Sequence, residues 1–140
     1  MVTDKYADSG VIADIVNQSK VIAVVGLSDK PERPSYGVAS YLKKAGYKII
    51  PVNPTKDEIL GEKSYPDLRA IPEPVDVVDI FRKSDAVGPI IDEAIKIKAK
   101  AVWLQQGVIN LDAAEKAADA GLKVVMDRCI LIEHKNLQAG

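Results

Sequence analysis

Short β-branched apolar runs alternate along this chain with longer amphipathic stretches, and few folds accept that pattern. Val21-Ile22-Ala23-Val24-Val25 is an unbroken apolar run closed by Gly26, as a strand buried on both faces reads. Tyr47 to Val52 is a second run, ended by Asn53-Pro54. Val75 to Ile80 is a third, Ala101 to Leu104 a fourth and Leu122 to Met126 a fifth. Helical patterns lie between them. Ser35 is placed to cap a helix running through Ala45 and stopping at Gly46. Ser84 or Asp85 starts another, in which Val87, Ile90, Ile91, Ala94, Ile95 and Ile97 include a core stripe. Asn110 or Asp112 opens a third that ends at Gly121, and a further helix, roughly Asp8 to Gln18, precedes the first strand. Strands alternating with helices predict an α/β fold, a doubly wound parallel sheet with right-handed crossovers and helices on both faces. The connection from Pro54 to Pro74 also holds Pro66 and Pro72, so it reads as turns with a short helix near Asp67 to Ala70. No repeat, low-complexity tract or linker divides the 140 residues, which read as one domain, 1–140.

Composition narrows the functional classes. The chain has 19 Lys and Arg against 20 Asp and Glu, a net charge of -1, which gives no general attraction to nucleic acid or to an anionic membrane. One cysteine, Cys129, excludes an internal disulfide and any zinc site built on two cysteines, and one histidine, His134, excludes any pair of histidine ligands. No metal is expected. The opening MVTDKYADSG has no apolar stretch behind basic residues, and no apolar run reaches the roughly 18 residues of a membrane span. The expectation is a soluble, cytoplasmic protein.

In open α/β sheets, ligands bind beyond the carboxyl ends of the strands. The first of those ends opens the loop GLSDKPERPSYG, Gly26 to Gly37, which lacks the GxGxxG fingerprint of dinucleotide binders. It brings Gly26, the hydroxyls of Ser28 and Ser35 and the cations Lys30 and Arg33 to a helix N-terminus, a combination that suits phosphate. The plainer alternative is a solvated charged loop with an ordinary serine cap. At the second strand end, an NAD site usually offers an acid to the ribose. Here Val52-Asn53-Pro54 stands instead, with the first acid at Asp57, which disfavours NAD.

At these residues the chain resembles the stand-alone CoA-binding proteins, whose fold is also the N-terminal CoA-binding domain of succinyl-CoA synthetase α-subunits and NDP-forming acyl-CoA synthetases. The matching segments are VIAVVGLS (Val21 to Ser28), RPSYGV (Arg33 to Val38), GYKIIPVNP (Gly46 to Pro54), EILGEKSYPDL (Glu58 to Leu68), VDVVDIFR (Val75 to Arg82), WLQQGV (Trp103 to Val108) and MDRC (Met126 to Cys129). The resemblance implies a Rossmann-like five-stranded sheet of order 3-2-1-4-5 and a coenzyme A site above it. By that resemblance Gly26, Ser28, Arg33 and Ser35 hold phosphates, and Val52, Asn53 and Pro54 line the adenosine side. Phe81 and Arg82 border the pocket, while Trp103, Gln105 and Gly107 lie where the pantetheine arm passes. The synthetases' ligase domain, with its phosphorylated histidine, and their ATP-grasp unit have no counterpart in these segments. Binding therefore carries over and ligase activity does not.

No complete catalytic constellation accompanies this site. Cys129 beside Arg128 allows a mixed disulfide with CoA, against a plain reading as a small residue packing a strand end. His134 reads as an exposed tail residue beside Glu133. Asp76 and Asp79, three apart in a strand, point to opposite faces, one of them at an edge or capped by backbone N–H groups. Trp103 reads as core packing, and Lys96, Lys98 and Lys100 as a solvated face near a helix end. The expectation is a protein that binds CoA or an acyl-CoA without chemistry of its own. An NAD(P)-dependent oxidoreductase is the alternative. Another is the CoA-binding subunit of a split acyl-CoA synthetase, partnered by an acyl-CoA-using enzyme. Exposed helix faces make a homodimer plausible.

Overall fold

The computed structural model describes residues 5–139. In chain order the elements are α1 (Ser9–Gln18), β1 (Val21–Val25), α2 (Pro34–Lys44), β2 (Lys48–Val52), β3 (Glu58–Ile59), β4 (Glu62–Lys63), β5 (Val77–Ile80), α3 (Val87–Lys96), β6 (Ala101–Leu104), α4 (Leu111–Asp119), β7 (Lys123–Met126) and α5 (Ile130–Ala139). β1, β2, β5, β6 and β7 form one parallel sheet, and β3 and β4 pair as a small antiparallel hairpin outside it. A 3₁₀ turn at Leu68–Ala70, capped by the Asp67 carboxylate on the Ala70 N–H at 3.0 Å, occupies the expected short helix.

The α/β class and the Rossmann-like sheet are as expected, but the strand order is not. The expected order 3-2-1-4-5 put the Val75 to Ile80 run outside the second strand. β5 instead pairs with β1 on the side away from β2, giving β2-β1-β5-β6-β7, or 2-1-3-4-5 counting sheet strands alone. The reason lies in the edges. β5 is buried along its whole length and belongs in the middle of a parallel sheet. β2 contains Pro51, which has no N–H to offer a further neighbour and marks an edge. Only a single bridge forms there. The Tyr65 N–H donates to the Pro51 carbonyl (3.0 Å), and the Asn53 N–H donates to the Tyr65 carbonyl (2.9 Å).

Alternation of side chains along the strands builds two cores. On one face, Val25, Val78, Ile80, Val102, Leu104 and Met126 meet Val87, Ile91 and Ala94 of α3 and Ala113, Ala114 and Ala117 of α4. On the other, Ile22, Val24, Val77, Trp103 and Val125 meet α1, α2 and Ile130 of α5. Trp103 is fully buried, its indole N–H donating to the Arg128 carbonyl at 2.8 Å, so it is core as expected. Asp76 accepts the Lys20 and Val21 N–H groups, each at 2.9 Å, and so supplies the backbone cap anticipated for one of the two aspartates. His134 departs from the expectation of an exposed tail. It is half-buried in α5, its Nδ1 2.7 Å from the Tyr41 hydroxyl and its ring edge-on to Tyr41 and Tyr47. Among the described residues, no helix is long and apolar enough to cross a membrane.

Candidate functional site

The strand ends open into a cleft of about 1160 Å³, somewhat above the roughly 300–1,000 Å³ usual for small-molecule sites. It runs from Asn53, Pro54, Thr55 and Lys56 after β2, across the β1–α2 loop, to Phe81, Arg82 and Lys83 after β5. From there it reaches Gln105, Gln106 and Val108 after β6, and Cys129 at the start of α5. The strand order matters here. With β2 and β7 at opposite edges, one ligand laid in the cleft crosses the full width of the sheet.

Gly26 makes the approach of loop to sheet possible. Its N–H donates to the Val52 carbonyl (3.0 Å) and its φ is +84°, a region that favours glycine. A Cβ there would stand 2.2 Å from the Phe81 carbonyl oxygen, inside any tolerable contact. Past Gly26 the loop is held by its own hydroxyls. The Ser28 N–H donates to Ser35 Oγ (3.0 Å), and the Lys30 N–H donates to Ser28 Oγ (3.0 Å). Ser35 was expected to cap α2. The N-cap is Arg33, Pro34 takes the first helical position where its missing N–H costs nothing, and no side chain caps this end. Ser35 sits buried in the first turn and ties the loop down, and both serine hydroxyls keep a proton to donate.

Charge around the cleft is unevenly distributed. Lys30, Arg33, Arg82 and Lys83 line it, and among the described residues none is paired with an acid. Lys56 is paired, 3.0 Å from Asp29, whose carboxyl lies below its ordinary pKa chiefly through the hydrogen bond from Lys56. Asn53 lines the cleft with both ends of its amide engaged. Its Nδ2 donates to the Leu27 carbonyl (3.0 Å), and its Oδ1 accepts the Thr55 N–H (2.9 Å) and hydroxyl (2.8 Å). It braces the loop against the end of β2.

Of the residues expected at the site, Gly26, Ser28, Lys30, Arg33, Ser35, Asn53, Pro54, Phe81, Arg82 and Gln105 converge on the cleft. Val52 does not, nor do Gly107 and Trp103, which the resemblance put beside the pantetheine arm. Val52 is buried in the core and faces a smaller cavity of about 140 Å³, which shares Pro54 and Arg82 with the lining of the main cleft. Gly107 turns the chain after β6, its N–H donating to Asp127 Oδ1 at 2.8 Å. Asp29, Thr55, Lys56, Lys83, Gln106 and Val108 also line the cleft without having been anticipated. Each follows a strand end within a few residues, the one signal by which it was findable. Arg128 is turned from the cleft toward the Asp127 carbonyl (3.0 Å) and Glu133 (4.0 Å).

Fold and cleft together define a Rossmann-like α/β protein with a cation-rimmed ligand groove over the carboxyl ends of its strands. The chain belongs to the CoA binding domain family, whose sequence profile matches residues 20–135. It is 44% identical over 123 residues to the uncharacterized protein YneT of Bacillus subtilis (strain 168), covering 88% of this chain and 91% of that one. A hypothetical protein from Pyrococcus horikoshii OT3, solved structurally, superposes with a TM-score of 0.90 at 42% identity, covering 94% of this chain and 92% of the other. The ADP-forming acetate–CoA ligase II subunit alpha of Pyrococcus furiosus is 40% identical over 131 residues, covering 84% of this chain but 29% of the subunit.

Proposed function

We propose that this protein binds coenzyme A, free or acylated, in the cytoplasm, with its nucleotide end over β1 and β2 and its pantetheine arm running toward β7. The observation that carries this reading is the set of four cations, Lys30, Arg33, Arg82 and Lys83, none in an ion pair among the described residues, around one cleft with a glycine-dependent loop at its floor. CoA brings a diphosphate and a 3′-phosphate, and a cluster of rim cations suits those charges. The Ser28 and Ser35 hydroxyls supply further donors. The small cavity against Val52, beside Pro54, offers a base edge apolar walls from Val25, Val52, Leu68 and Ile90 with polar groups at Asp67 and Glu93. NAD is the poorer fit. The acid that reaches the β2 end, Asp29, is already held by Lys56 at 3.0 Å, and the Asn53 amide oxygen is taken by Thr55.

The protein acts on this reading as a binder with no chemistry of its own. Calorimetric titration with CoA, dephospho-CoA, acetyl-CoA, NAD and NADP under reducing conditions tests it. Micromolar or tighter CoA with much weaker NAD is expected; NAD(P) binding without CoA binding overturns the proposal in favour of an oxidoreductase. Arg33→Ala refines the assignment. A loss specific to CoA over dephospho-CoA puts Arg33 on the 3′-phosphate, an equal loss puts it on the diphosphate, and no loss removes it from the site.

Likeness to a ligase alpha subunit favours a second reading, as the CoA-binding part of a split acyl-CoA synthetase. CoA-dependent ATP turnover on adding an ATP-grasp partner supports it. No turnover with any copurifying protein leaves the simple binder.

A further inference from the structure

We propose that the β7 end of the cleft reads an acyl thioester, the Gln105 amide nitrogen donating to the thioester carbonyl oxygen. This rests on the CoA reading above and adds that the preferred ligand is acylated. Gln105 lines the cleft at the end of β6, yet the residue is only 4% exposed. Its Oε1 accepts the Ile130 N–H at 3.2 Å, the first N–H of α5. An N–H is answered only by an oxygen, so this bond fixes which way the amide is turned. The oxygen faces the helix, and the nitrogen, with both its protons, has no partner among the described residues. That nitrogen is not among the sealed, unpartnered atoms of the interior, so it opens on the cleft that Gln105 lines. A carbonyl oxygen of a bound ligand is the acceptor this position suits.

Position along the sheet selects which carbonyl. The amide touches Ile130, beside Cys129, and Gln105 follows β6, two strand spacings from β1, about 10 Å. That is the β7 side of the cleft, along the path of a pantetheine arm extending from the phosphate-suited loop across the strand ends. A free thiol is a weak acceptor for an amide N–H, whereas a thioester presents a carbonyl. Cys129 lines the cleft beside Ile130 and offers a short acyl group a small contact.

The test compares acetyl-CoA, CoA and S-ethyl-CoA, a thioether of acetyl-CoA's size that lacks the carbonyl oxygen, by calorimetry on the full chain. Acetyl-CoA is expected to bind roughly three- to tenfold more tightly than either, the range of one hydrogen bond. Gln105→Glu keeps an acceptor for the Ile130 N–H and removes the donor, so the acetyl-to-ethyl ratio falls to about one. Gln105→Met removes both groups and gives the same ratio. Equal affinity of the wild type for all three overturns the proposal and hands the donor to a pantetheine amide. A preference that survives both substitutions removes Gln105 from the recognition. Should the variants not fold, the wild-type comparison of acetyl-CoA with S-ethyl-CoA decides alone. Failure of all three ligands to bind sinks the CoA reading itself, an outcome distinct from loss of the preference.

Discussion

Asp79 carries a carboxyl into the middle of the sheet, between Val24 and Trp103 in register, fully buried and with neither oxygen hydrogen-bonded among the described residues. Burial pushes its pKa well above the ordinary value, so the folded protein keeps that proton to higher pH than the unfolded chain does. The unfolded chain releases that proton above about pH 3.9, so stability declines as pH rises from there toward the folded pKa, by up to ~1.4 kcal/mol per pH unit. Asp79→Val should remove this dependence and stabilise the protein near neutrality by ~1–3 kcal/mol. Urea denaturation at pH 5 and pH 8 checks it, and parallel losses in wild type and variant would assign the proton elsewhere. Asp76 has the opposite sign. Burial raises its pKa, but the Val21 and Lys20 N–H groups and Lys100 together bring it below the ordinary value. Its contribution is present above the unfolded pKa and is lost as pH falls. Alternation along the strand showed that the two aspartates face apart. Which one meets N–H donors depends on where β1 begins, a tertiary matter. Gly26→Ala is expected to cost at least ~2 kcal/mol, since both the positive φ and the Phe81 carbonyl forbid a Cβ. Thermal melts would show the loss, and CoA affinity should fall with it.

Helix ends were legible where one side chain could do the capping. Asp8 accepts the Val11 N–H (3.0 Å) to start α1, and Asn110 accepts the Ala113 N–H (3.0 Å) to start α4. Removing such a cap costs about 1 kcal/mol. Asn110→Ala should cost more than Asp8→Ala, because the Asn110 amide nitrogen also donates to the Ser84 carbonyl (2.9 Å) and ties α4 to the turn before α3. Equal losses in urea denaturation would mean that this second bond adds nothing. The start of α2 was misread for a definable reason. Pro34 and Ser35 both suit a first turn, and only the folded loop shows the Ser35 hydroxyl answering Ser28. The position of β5 was misplaced although Pro51 already marked β2 as an edge. Local pattern names a strand, whereas its neighbours follow from which strands need both edges covered.

Across the whole molecule, ligand binding and folding are linked. CoA at a hundred times its Kd should stabilise the protein by ~2.7 kcal/mol, and NAD at the same concentration by far less. Thermal shifts with each nucleotide measure this, and equal shifts would remove the discrimination argued from the β2 end. CoA affinity should also weaken with salt, because the rim cations Lys30 and Arg33 are exposed and screened. The sequence by itself determined the α/β class, the strands and most of their helices, and the loop that lines the cleft. These rest on local periodicity, chain direction and residue chemistry, which are written along the chain. It did not determine that β5 sits beside β1, that Val52 turns into the core, that His134 wedges between Tyr41 and Tyr47, or that the Gln105 amide is oriented by α5. Each of those depends on residues distant in sequence meeting in space, where burial and hydrogen-bond pairing choose among arrangements that local chemistry leaves equal.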